Sequence, residues 1–276
     1  MRPAELVRRS ARYLGKHGVE SPESTAEALL MLVLGVDRAT LYTHAKGLSS
    51  AEARTFGRAL CQRCTGTPLQ HLTGQQAFRR ITLAVRPGVF VPRPETEVLV
   101  GLALDELGDL QDPVVADVGT GTGAIALAIK DERPGGTIFA TDLSPEAVDL
   151  ARSNGSNLGL DVHVLEGDLL APLPSELLGL VDLVVSNPPY VSAADVEDLP
   201  TEVRAEPTMA LVGGPETYER LAAEALRWLR GDGVLAVEIA AEDGARVAEI
   251  MGASFGGVRV QPDRAGRDRV VVGRRP

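Results

Sequence analysis

Cysteine is nearly absent from this 276-residue sequence, which contains only Cys61 and Cys64. Both lie in one CQRC segment, with no second CxxC and no nearby group of histidines to complete a zinc site. The four histidines are scattered, and we interpret each as structural or exposed. The sequence therefore predicts no metal site, and the two cysteines are interpreted as reduced thiols on one face of a helix.

Long apolar runs are also missing. The first 20 residues are amphipathic and basic, without the apolar region or cleavage site of a signal peptide, and no later run is long enough to span a bilayer. Apolar residues nevertheless make up 44% of the chain, enough to build a core. We expect a globular, cytoplasmic protein that does not act at a membrane.

Positive residues are outnumbered, with 28 Lys and Arg against 38 Asp and Glu and a formal net charge of −10. This balance argues against a protein that wraps nucleic acid over its whole surface. Residues 1–86, however, contain 13 Lys and Arg against 6 Asp and Glu, or +7, and the remainder carries −17. This asymmetry indicates either an N-terminal docking surface for an acidic partner or a solvated helical surface. For docking, the candidate residues are Arg8, Arg9 and Arg12.

The sequence pattern divides the chain into three parts. From Pro3 to about Cys64 apolar residues recur at helical spacing behind Ser and Thr caps, which predicts a small bundle over residues 1–72. Gly and Pro interrupt this pattern, and residues 73–92 are predicted to form a linker with a short hairpin around Arg86-Pro87-Gly88. Residues 93–276 form the third part.

Strands and helices alternate through this third part, after a helix opened by Pro94. This alternation predicts an α/β fold with a mainly parallel sheet covered on both faces. A closing antiparallel pair is predicted in GVRVQPDRAGRDRVVVGRR. The predicted strands are VVADVG, TIFATDL, VHVLEGD, VDLVVSN and VLAVEIA, and the later predicted helices are TGAIALAIKDE, SPEAVDLARSNGSNLG, ETYERLAAEALRWLRGDG and AEDGARVAEIMGAS.

A glycine loop follows the first of these strands. DVGTGTG places Gly119, Gly121 and Gly123 between a strand and a helix, where the backbone can turn tightly and approach a ligand. The spacing differs from the dinucleotide fingerprint G-x-G-x-x-G, and no Gly-Lys-Ser/Thr follows to hold a triphosphate. Asp142, about twenty residues on, ends the next strand, where a carboxylate can accept ribose hydroxyls.

With Asp142 and the EGD segment, this loop resembles the S-adenosylmethionine site of class I methyltransferases. The resemblance implies a Rossmann-like catalytic domain over residues 93–276, with a mainly parallel seven-stranded sheet beside the small N-terminal helical domain. It also implies that Asp142 binds ribose, that Asp168 and Leu169 flank adenine and that Asn187 borders the cofactor. The methionine portion would contact Gly119, Thr120, Gly121, Thr122 and Gly123.

Asn187-Pro188-Pro189-Tyr190 ends a buried strand at the sheet edge where such folds bind ligands. The proline-locked backbone is stiff, so the Asn187 side-chain oxygen and the Pro188 carbonyl can accept both N–H bonds of a planar NH2 group. Tyr190 can lie against the plane of that group. We therefore expect in-line methyl transfer to a planar nitrogen, with Asn187, Pro188 and Tyr190 as catalytic residues and all four residues binding the substrate.

Several longer segments together resemble the protein-(glutamine-N5) methyltransferases of the PrmC/HemK family, which modify the Gly-Gly-Gln motif of class 1 peptide chain release factors. The resemblance implies S-adenosylmethionine as cofactor, a release factor as substrate and an N-terminal domain that helps to dock it. It also implies a pocket walled by Arg93 to Thr96, with Phe90 and Glu206-Pro207 nearby. The segments are PLQHLTG, FVPRPETEVLV, DVGTGTGAIALA, SNPPYV, EPTMALVGG and DRAGRDRVVVGR.

Two residues depart from the family pattern: Ala77 replaces a common acid and Ala240 a usual glycine. Three other functions remain open on the sequence alone. A sister enzyme that methylates a glutamine of a large-subunit ribosomal protein shares the chemistry. An N6-adenine or exocyclic-amine nucleic-acid methyltransferase would need a basic surface that the acidic third part lacks. A non-catalytic scaffold that binds S-adenosylmethionine is the alternative that is not an enzyme.

Overall fold

The computed structural model describes residues 2–43, 46–204 and 206–276. The chain divides into two compact units. One comprises Met1–Gln75 together with Pro200–Ala205, and the other comprises Gln76–Leu199 together with Glu206–Pro276. A segment from the middle of the sequence therefore belongs to the N-terminal unit, which no sequence pattern indicated.

The first unit is a helical bundle, and its helices begin where the sequence supplies caps. Ser49 and Glu52 form a capping box in which the Ser49 Oγ accepts from the Glu52 N–H and the Glu52 carboxylate accepts from the Ser49 N–H. Leu14, Leu29 and Leu30 are fully buried in its core. The N-terminal helices are α1 (Pro3–Lys16), α2 (Pro22–Leu34), α3 (Arg38–Thr43), α4 (Ser50–Cys64) and α5 (Leu69–Thr73).

An ion pair holds residues 200–205 within this unit. The half-exposed Glu202 carboxylate accepts from the buried Arg63 guanidinium at 2.6 Å. A Cβ added to Gly66 would lie 2.7 Å from Thr201 Cγ2, so the backbone of one segment approaches the side chain of the other closely.

The two-stranded hairpin lies earlier than the sequence predicted. Strands β1 (Gln75–Phe78) and β2 (Ile81–Ala84) form a two-stranded sheet. The predicted turn around Arg86-Pro87-Gly88 is wrong, because the chain reverses at Arg79-Arg80. Arg79 has a φ of 50°, its N–H donates to Glu97 Oε1 at 3.0 Å and its guanidinium binds Glu132. These contacts fix the reversal between buried apolar residues.

The second unit contains a seven-stranded sheet with the order β5-β4-β3-β6-β7-β9-β8. The strands from β5 to β7 pair in parallel, and β9 pairs antiparallel with both β7 and β8. This confirms the mainly parallel seven-stranded sheet and the closing antiparallel pair. The strands are β3 (Val114–Val118), β4 (Thr137–Asp142), β5 (His163–Glu166), β6 (Val181–Ser186), β7 (Leu229–Glu238), β8 (Gly256–Pro262) and β9 (Asp268–Arg274).

Helices cover both faces of this sheet. Along β3, Val115 packs into one buried apolar cluster and Ala116 into another, as the two-residue period of a strand requires. Helices α6, α7 and α8 contribute to the first cluster, and α11 and α12 to the second. The helices are α6 (Thr96–Leu107), α7 (Ala124–Glu132), α8 (Pro145–Leu158), α9 (Thr201–Arg204, in the first unit), α10 (Thr208–Leu211), α11 (Pro215–Trp228) and α12 (Gly244–Gly252).

One predicted helix ends early. The pattern ETYERLAAEALRWLRGDG was expected to be helical, but α11 ends at Trp228 and β7 begins at Leu229. Leu229 is fully buried and pairs with Val181 in the sheet. A Cβ on Gly233 would lie 3.0 Å from the Val181 carbonyl oxygen, so a glycine is needed where the two backbones meet. Burial against β6 thus outweighs the helical pattern.

Because β3, β4, β5 and β6 are parallel, their carboxyl ends meet at one edge. The glycine loop, Asp142, Asp168 and Asn187 all lie at or just beyond the ends of these strands. In the described ranges, no helix is long and apolar enough to cross a membrane.

Candidate active site

The glycine loop turns back over the end of β4. Gly119, Gly121 and Gly123 have φ values of 72°, 56° and 84°, in the left-handed region that favours glycine. The N–H groups of Gly119 and Thr120 both donate to the Thr141 carbonyl oxygen at 2.9 Å. A Cβ on Gly123 would lie 2.9 Å from Leu127 Cδ1, so this position is closed by packing as well as by conformation.

Asp117, near the end of β3, fixes this loop by hydrogen bonds from its buried side chain, a role that the sequence did not reveal. Its side chain is fully buried, and Oδ2 accepts from the Thr120 hydroxyl at 2.6 Å and from the Ala126 N–H at 3.1 Å. It therefore binds both the loop and the first turn of α7. Burial raises the pKa of Asp117 to about 7, against the lowering effect of these two donors. The available sequence signal was the acid that begins DVG.

Asp142 meets the same loop from the neighbouring strand. Its Oδ2 accepts from the Gly121 N–H at 2.8 Å and its Oδ1 from the Ser144 N–H at 2.9 Å. Burial raises the pKa of this carboxyl group, and the backbone donors lower it. Each carboxylate oxygen has a further lone pair, so the group can still accept from the two hydroxyls of a ribose.

Asp168 and Leu169 follow the end of β5, whose last residue, Glu166, pairs with Asp142 of β4. The Gly167 N–H donates to the Asp142 carbonyl at 2.9 Å, and the Thr141 hydroxyl donates to the Leu169 carbonyl at 2.7 Å. Leu169 adopts a φ of 46°. The half-exposed Asp168 carboxylate pairs with Arg220 at 2.5 Å, a partner that the sequence did not indicate.

The backbone of the glycine loop faces open space beside Asp142. A Cβ added to Gly119 or Gly121 would meet no atom within 4 Å, so the backbone faces open space at both positions. The acceptors of Asp142 lie next to this space, because the acid is bonded to Gly121. Open backbone beside a carboxylate fits a ligand that has both a vicinal diol and a compact polar portion, as S-adenosylmethionine does.

Asn187 lies immediately beyond the end of β6, and β6 is the neighbour of β3, the strand that leads into the glycine loop. Ser186 pairs with Val118 in the parallel register, and its hydroxyl donates to the Val118 carbonyl at 2.7 Å. The half-buried Asn187 side chain donates from Nδ2 to the Thr96 hydroxyl oxygen at 3.2 Å. Its Oδ1 is therefore the atom left to accept from a ligand.

Residues 211–213 hold the backbone that follows Asn187 in place. The Val191 N–H donates to the Leu211 carbonyl at 2.9 Å, and the Gly213 N–H donates to the Val191 carbonyl at 3.0 Å. A Cβ on Gly213 would lie 1.8 Å from the Pro189 carbonyl oxygen. The backbone of residues 189–191 is thus fixed by direct packing in addition to the rigidity of its prolines.

Tyr190 packs beside the second apolar cluster of the sheet. Burial raises the pKa of its phenol to about 12, with the nearby Glu238 carboxyl group as the second cause. The phenol therefore stays protonated at neutral pH and offers a neutral ring surface.

The residues that the family resemblance grouped around the pocket do come together. Arg93 donates to Glu206 Oε1 at 2.9 Å, and the Val91 N–H donates to the same oxygen at 3.3 Å. The Arg93 guanidinium also lies 5.0 Å from the centre of the Phe90 ring. The Glu206 side chain is fully buried; burial raises its pKa, and Arg93 opposes this effect.

Glu238 is the site residue that sequence reasoning missed. It ends β7 and is buried, with 1% of its surface exposed. Burial raises its pKa to about 7, and the hydrogen bond from the Thr96 hydroxyl and the charge of Arg269 lower it. The sequence signal was present, since an acid that ends the apolar strand VLAV must be buried or functional.

The thiols of Cys61 and Cys64 are free, the first exposed and the second half-buried. Within the part of the chain that the structure describes, no group of three or more His, Cys, Asp or Glu side chains is arranged to hold a metal ion.

The seven-stranded sheet and this site at its carboxyl edge define a class I methyltransferase. Residues 5–74 match the PrmC N-terminal domain family and residues 80–266 match the Methyltransferase small domain family. The chain belongs to the release factor glutamine methyltransferase family. It is 40% identical over 268 residues to the "Release factor glutamine methyltransferase" of Moorella thermoacetica, covering 94% of each chain. It is 41% identical over 280 residues to the enzyme of that name from Deinococcus radiodurans, covering 100% of this chain and 99% of that one.

Solved structures agree on the fold. A 16S rRNA methyltransferase of T. thermophilus, in complex with AdoMet and guanosine, superposes with a TM-score of 0.55 and 18% identity. The match covers 73% of this chain and 50% of that one. At this identity the similarity concerns the fold alone. Membership of the class implies the use of S-adenosylmethionine.

Proposed function

We propose that this protein transfers a methyl group from S-adenosylmethionine to the side-chain amide nitrogen (N5) of the glutamine in the Gly-Gly-Gln motif of class 1 peptide chain release factors. The reaction would take place in the cytoplasm, where these factors act, and would modulate translation termination. The observation that carries the proposal is the position of Asn187-Pro188 at the end of β6, beside the glycine loop, with the Asn187 Oδ1 left to accept. The names of relatives matched over nearly the whole chain supply the choice of substrate.

The cofactor site would be formed by the ends of β3, β4 and β5. S-adenosylmethionine supplies a methyl group on a positively charged sulfur when it is bound. Asp142 would accept from the ribose hydroxyls, and Asp168 and Leu169 would flank the adenine. The methionine portion would lie against the loop residues Gly119, Thr120, Gly121, Thr122 and Gly123, and Asn187 would border it.

The substrate site would orient a nitrogen that is a poor nucleophile, because its lone pair is delocalised into the amide carbonyl. The Asn187 Oδ1 and the Pro188 carbonyl would each accept a hydrogen bond from one of its two N–H groups. Tyr190 and Pro189 would flank the amide plane. Fixing the amide in this way directs the lone pair at the methyl group, and orientation of reactants can supply up to roughly 7–11 kcal/mol of a barrier. The methylated nitrogen is acidic and can lose its proton to these acceptors or to water.

The alternatives are weaker on specific grounds. The whole-length relatives carry the release-factor name, which argues against the ribosomal-protein substrate. A nucleic-acid substrate would have to approach a chain whose residues 87–276 carry −17. A non-catalytic scaffold would need neither the hydrogen bond from Asn187 to Thr96 nor the close packing of Gly213 against Pro189.

For docking we propose the basic face of α1. Arg8, Arg9 and Arg12 are all exposed, and Arg8 and Arg12 are one turn apart on the helix. A release factor with an acidic surface would be attracted to this face, which would raise the rate of encounter.

The test is to incubate the purified protein with radiolabelled S-adenosylmethionine and, separately, a release factor, a large-subunit ribosomal protein and DNA. We expect label on the release factor and none on a variant factor whose motif reads Gly-Gly-Glu. The Asn187→Ala enzyme should bind cofactor normally and lose about 100-fold or more of its turnover, the usual effect of removing one positioned polar group at the reacting atom. Label on DNA alone would refute the proposal, and cofactor binding without transfer to any substrate would favour the scaffold.

A further inference from the structure

Glu238 is a buried acid that no step of the proposed reaction uses. Its Oε2 has no hydrogen-bond partner among the described residues, and only 1% of the residue is exposed to water that could replace one. Removing a carboxylate from water is costly, so a well-packed apolar residue at the end of β7 would be the expected choice for stability alone. The position of the acid indicates a different purpose.

The sheet register brings Glu238 next to Asn187. Val237 of β7 pairs in parallel with Ser186 of β6, so the next residues, Glu238 at the end of β7 and Asn187 just beyond β6, are neighbours. Helix α6 packs against both strands and begins with Thr96, which is 3% exposed. Thr96 therefore stands between the acid and the amide.

The hydrogen bonds around Thr96 have a fixed direction. A threonine hydroxyl has one hydrogen to donate, whereas an ionised carboxylate can only accept. The Thr96 hydroxyl oxygen accepts from the Asn187 Nδ2 at 3.2 Å, so the single Thr96 hydrogen is directed away from Asn187. The Glu238 carboxyl group is the acceptor available to that hydrogen, and a hydrogen bond from Thr96 is one of the effects that lower the pKa of Glu238. The Asn187 side-chain oxygen is left on the opposite side.

We propose that Glu238 and Thr96 are positioning residues that set the orientation of the Asn187 amide, so that its oxygen and not its NH2 group faces the substrate. The inference rests on the proposed function, because only a substrate that donates N–H bonds needs an acceptor there. In the opposite orientation two NH2 groups would face each other, and the substrate nitrogen would lose one of its two acceptors. This hydrogen-bonded relay of Glu238, Thr96 and Asn187 thus selects a substrate that presents a planar NH2 group over one that presents a carbonyl oxygen.

Protonation of Glu238 weakens this selection, because a neutral carboxyl group can itself donate to Thr96 and free the threonine hydrogen for the Asn187 oxygen. The other charged or titratable groups that act on Glu238 are Arg269 from β9 and Glu95 from the turn before α6. Tyr190 and Tyr218 also lie near it, and the Tyr218 hydroxyl donates to the Glu238 carbonyl at 3.2 Å. The pKa of Glu238, raised to about 7 by burial, lies where such a change is measurable.

The first test compares Thr96→Val with Thr96→Ser, which differ in the hydroxyl that the relay needs. With whole release factor as substrate, Thr96→Val should lower kcat by about 10- to 100-fold, since a misaligned reactant typically costs that much. Thr96→Ser should recover most of the rate, and the cofactor Kd should change little in either. In the Thr96→Val background, a further Glu238→Gln change should lower kcat little more, because the effects of two substitutions in one relay do not add.

The second test is the pH profile. The wild-type kcat should fall on the acid side with a midpoint near the raised pKa of Glu238, about 7, and Glu238→Gln should remove this dependence. The relay is refuted if Thr96→Ser is as slow as Thr96→Val, or if Glu238→Gln keeps both the wild-type rate and its profile.

A measurement without turnover separates this inference from the proposed function. The side-chain NH2 resonances of Asn187, assigned in ¹⁵N spectra by comparison with Asn187→Ala, should shift with the same midpoint in the wild type and not in Glu238→Gln. A flat titration in the wild type would overturn the relay, even in an enzyme that methylates release factor. A wild type that shows the titration but methylates no release factor would retain the relay and lose the proposed substrate.

Discussion

The Gly121 N–H donates to the Asp142 carboxylate at 2.8 Å, which joins the glycine loop after β3 to the acid at the end of β4. The two halves of the proposed cofactor site are thus joined by a hydrogen bond. A change at Asp142 should therefore act both on the ribose contact and on the shape of the loop.

Asp142→Ala should weaken S-adenosylmethionine binding by at least about 10-fold, since hydrogen bonds to a charged group contribute roughly 1.5–3 kcal/mol. Turnover at saturating cofactor should fall much less, because the substrate acceptors at Asn187 and Pro188 are unchanged. Calorimetric titration measures the affinity. Asp149→Ala, at an exposed position of α8, is the matched control and should bind normally. Equal affinities in the two variants would rule out Asp142 as the ribose acceptor.

Gly213→Ala tests whether the backbone beside Pro189 must be held closely. The new Cβ would lie 1.8 Å from the Pro189 carbonyl oxygen, so the substrate loop has to move. We expect kcat to fall by about 100-fold, the typical cost of a displacement of about 1 Å at the reacting groups, with cofactor affinity retained. Gly214→Ala is the control, because its Cβ would meet only the end of the Glu216 side chain, which can rotate away. Similar rates in both variants would show that the loop tolerates the shift.

The sequence predicted the parts of the fold that follow from local pattern. Strand and helix alternation indicated the parallel sheet, and DVGTGTG and the Asn-Pro-Pro-Tyr segment indicated the edge at which ligands bind. Contacts between distant residues were not predictable in this way. The turn at Arg79 depends on Glu97 and Glu132, and the early start of β7 depends on burial against β6. The role of Glu238 likewise appears only when β6 and β7 are placed side by side, and that of Asp117 only when the glycine loop folds back on the end of β3.

Arg93 and Glu206 offer a test of a buried ion pair. The Glu206 side chain is fully buried, so removal of its partner in Arg93→Leu leaves a charge without compensation. We expect a loss of about 3 kcal/mol in the free energy of unfolding, measured with urea and followed by the fluorescence of Trp228, the only tryptophan. The double variant Arg93→Leu/Glu206→Gln should recover much of this loss, because the uncompensated charge is gone. A double variant less stable than the single one would contradict this explanation.

Charge reversal on α1 tests the docking proposal. The triple change Arg8→Glu, Arg9→Glu and Arg12→Glu should raise the KM for whole release factor several-fold, with a larger effect at low salt. The rate with a short Gly-Gly-Gln peptide should not change, since the proposed methyl-transfer site is untouched. Arg227→Glu/Arg246→Glu/Arg264→Glu, at three exposed positions of the second unit, makes the same change in net charge and is the control. If this control raises the KM equally, the effect belongs to overall charge and not to the face of α1.

Asp117 should make stability depend on pH in a direction opposite to that of an ordinary ion-paired acid. Its pKa is about 7 in the folded protein and near 3.8 when exposed, so between these values the folded state binds the extra proton. The free energy of unfolding that Asp117 contributes must then fall as the pH rises, by at most about 1.4 kcal/mol per pH unit. Asp117→Asn removes the titration and keeps one acceptor. Urea unfolding between about pH 5 and about pH 8 should show the stability of the wild type relative to Asp117→Asn decreasing up to about pH 7 and then levelling. A difference that stays constant over this range would mean that Asp117 is already ionised throughout, and that its bonds to Thr120 and Ala126 offset the whole cost of its burial.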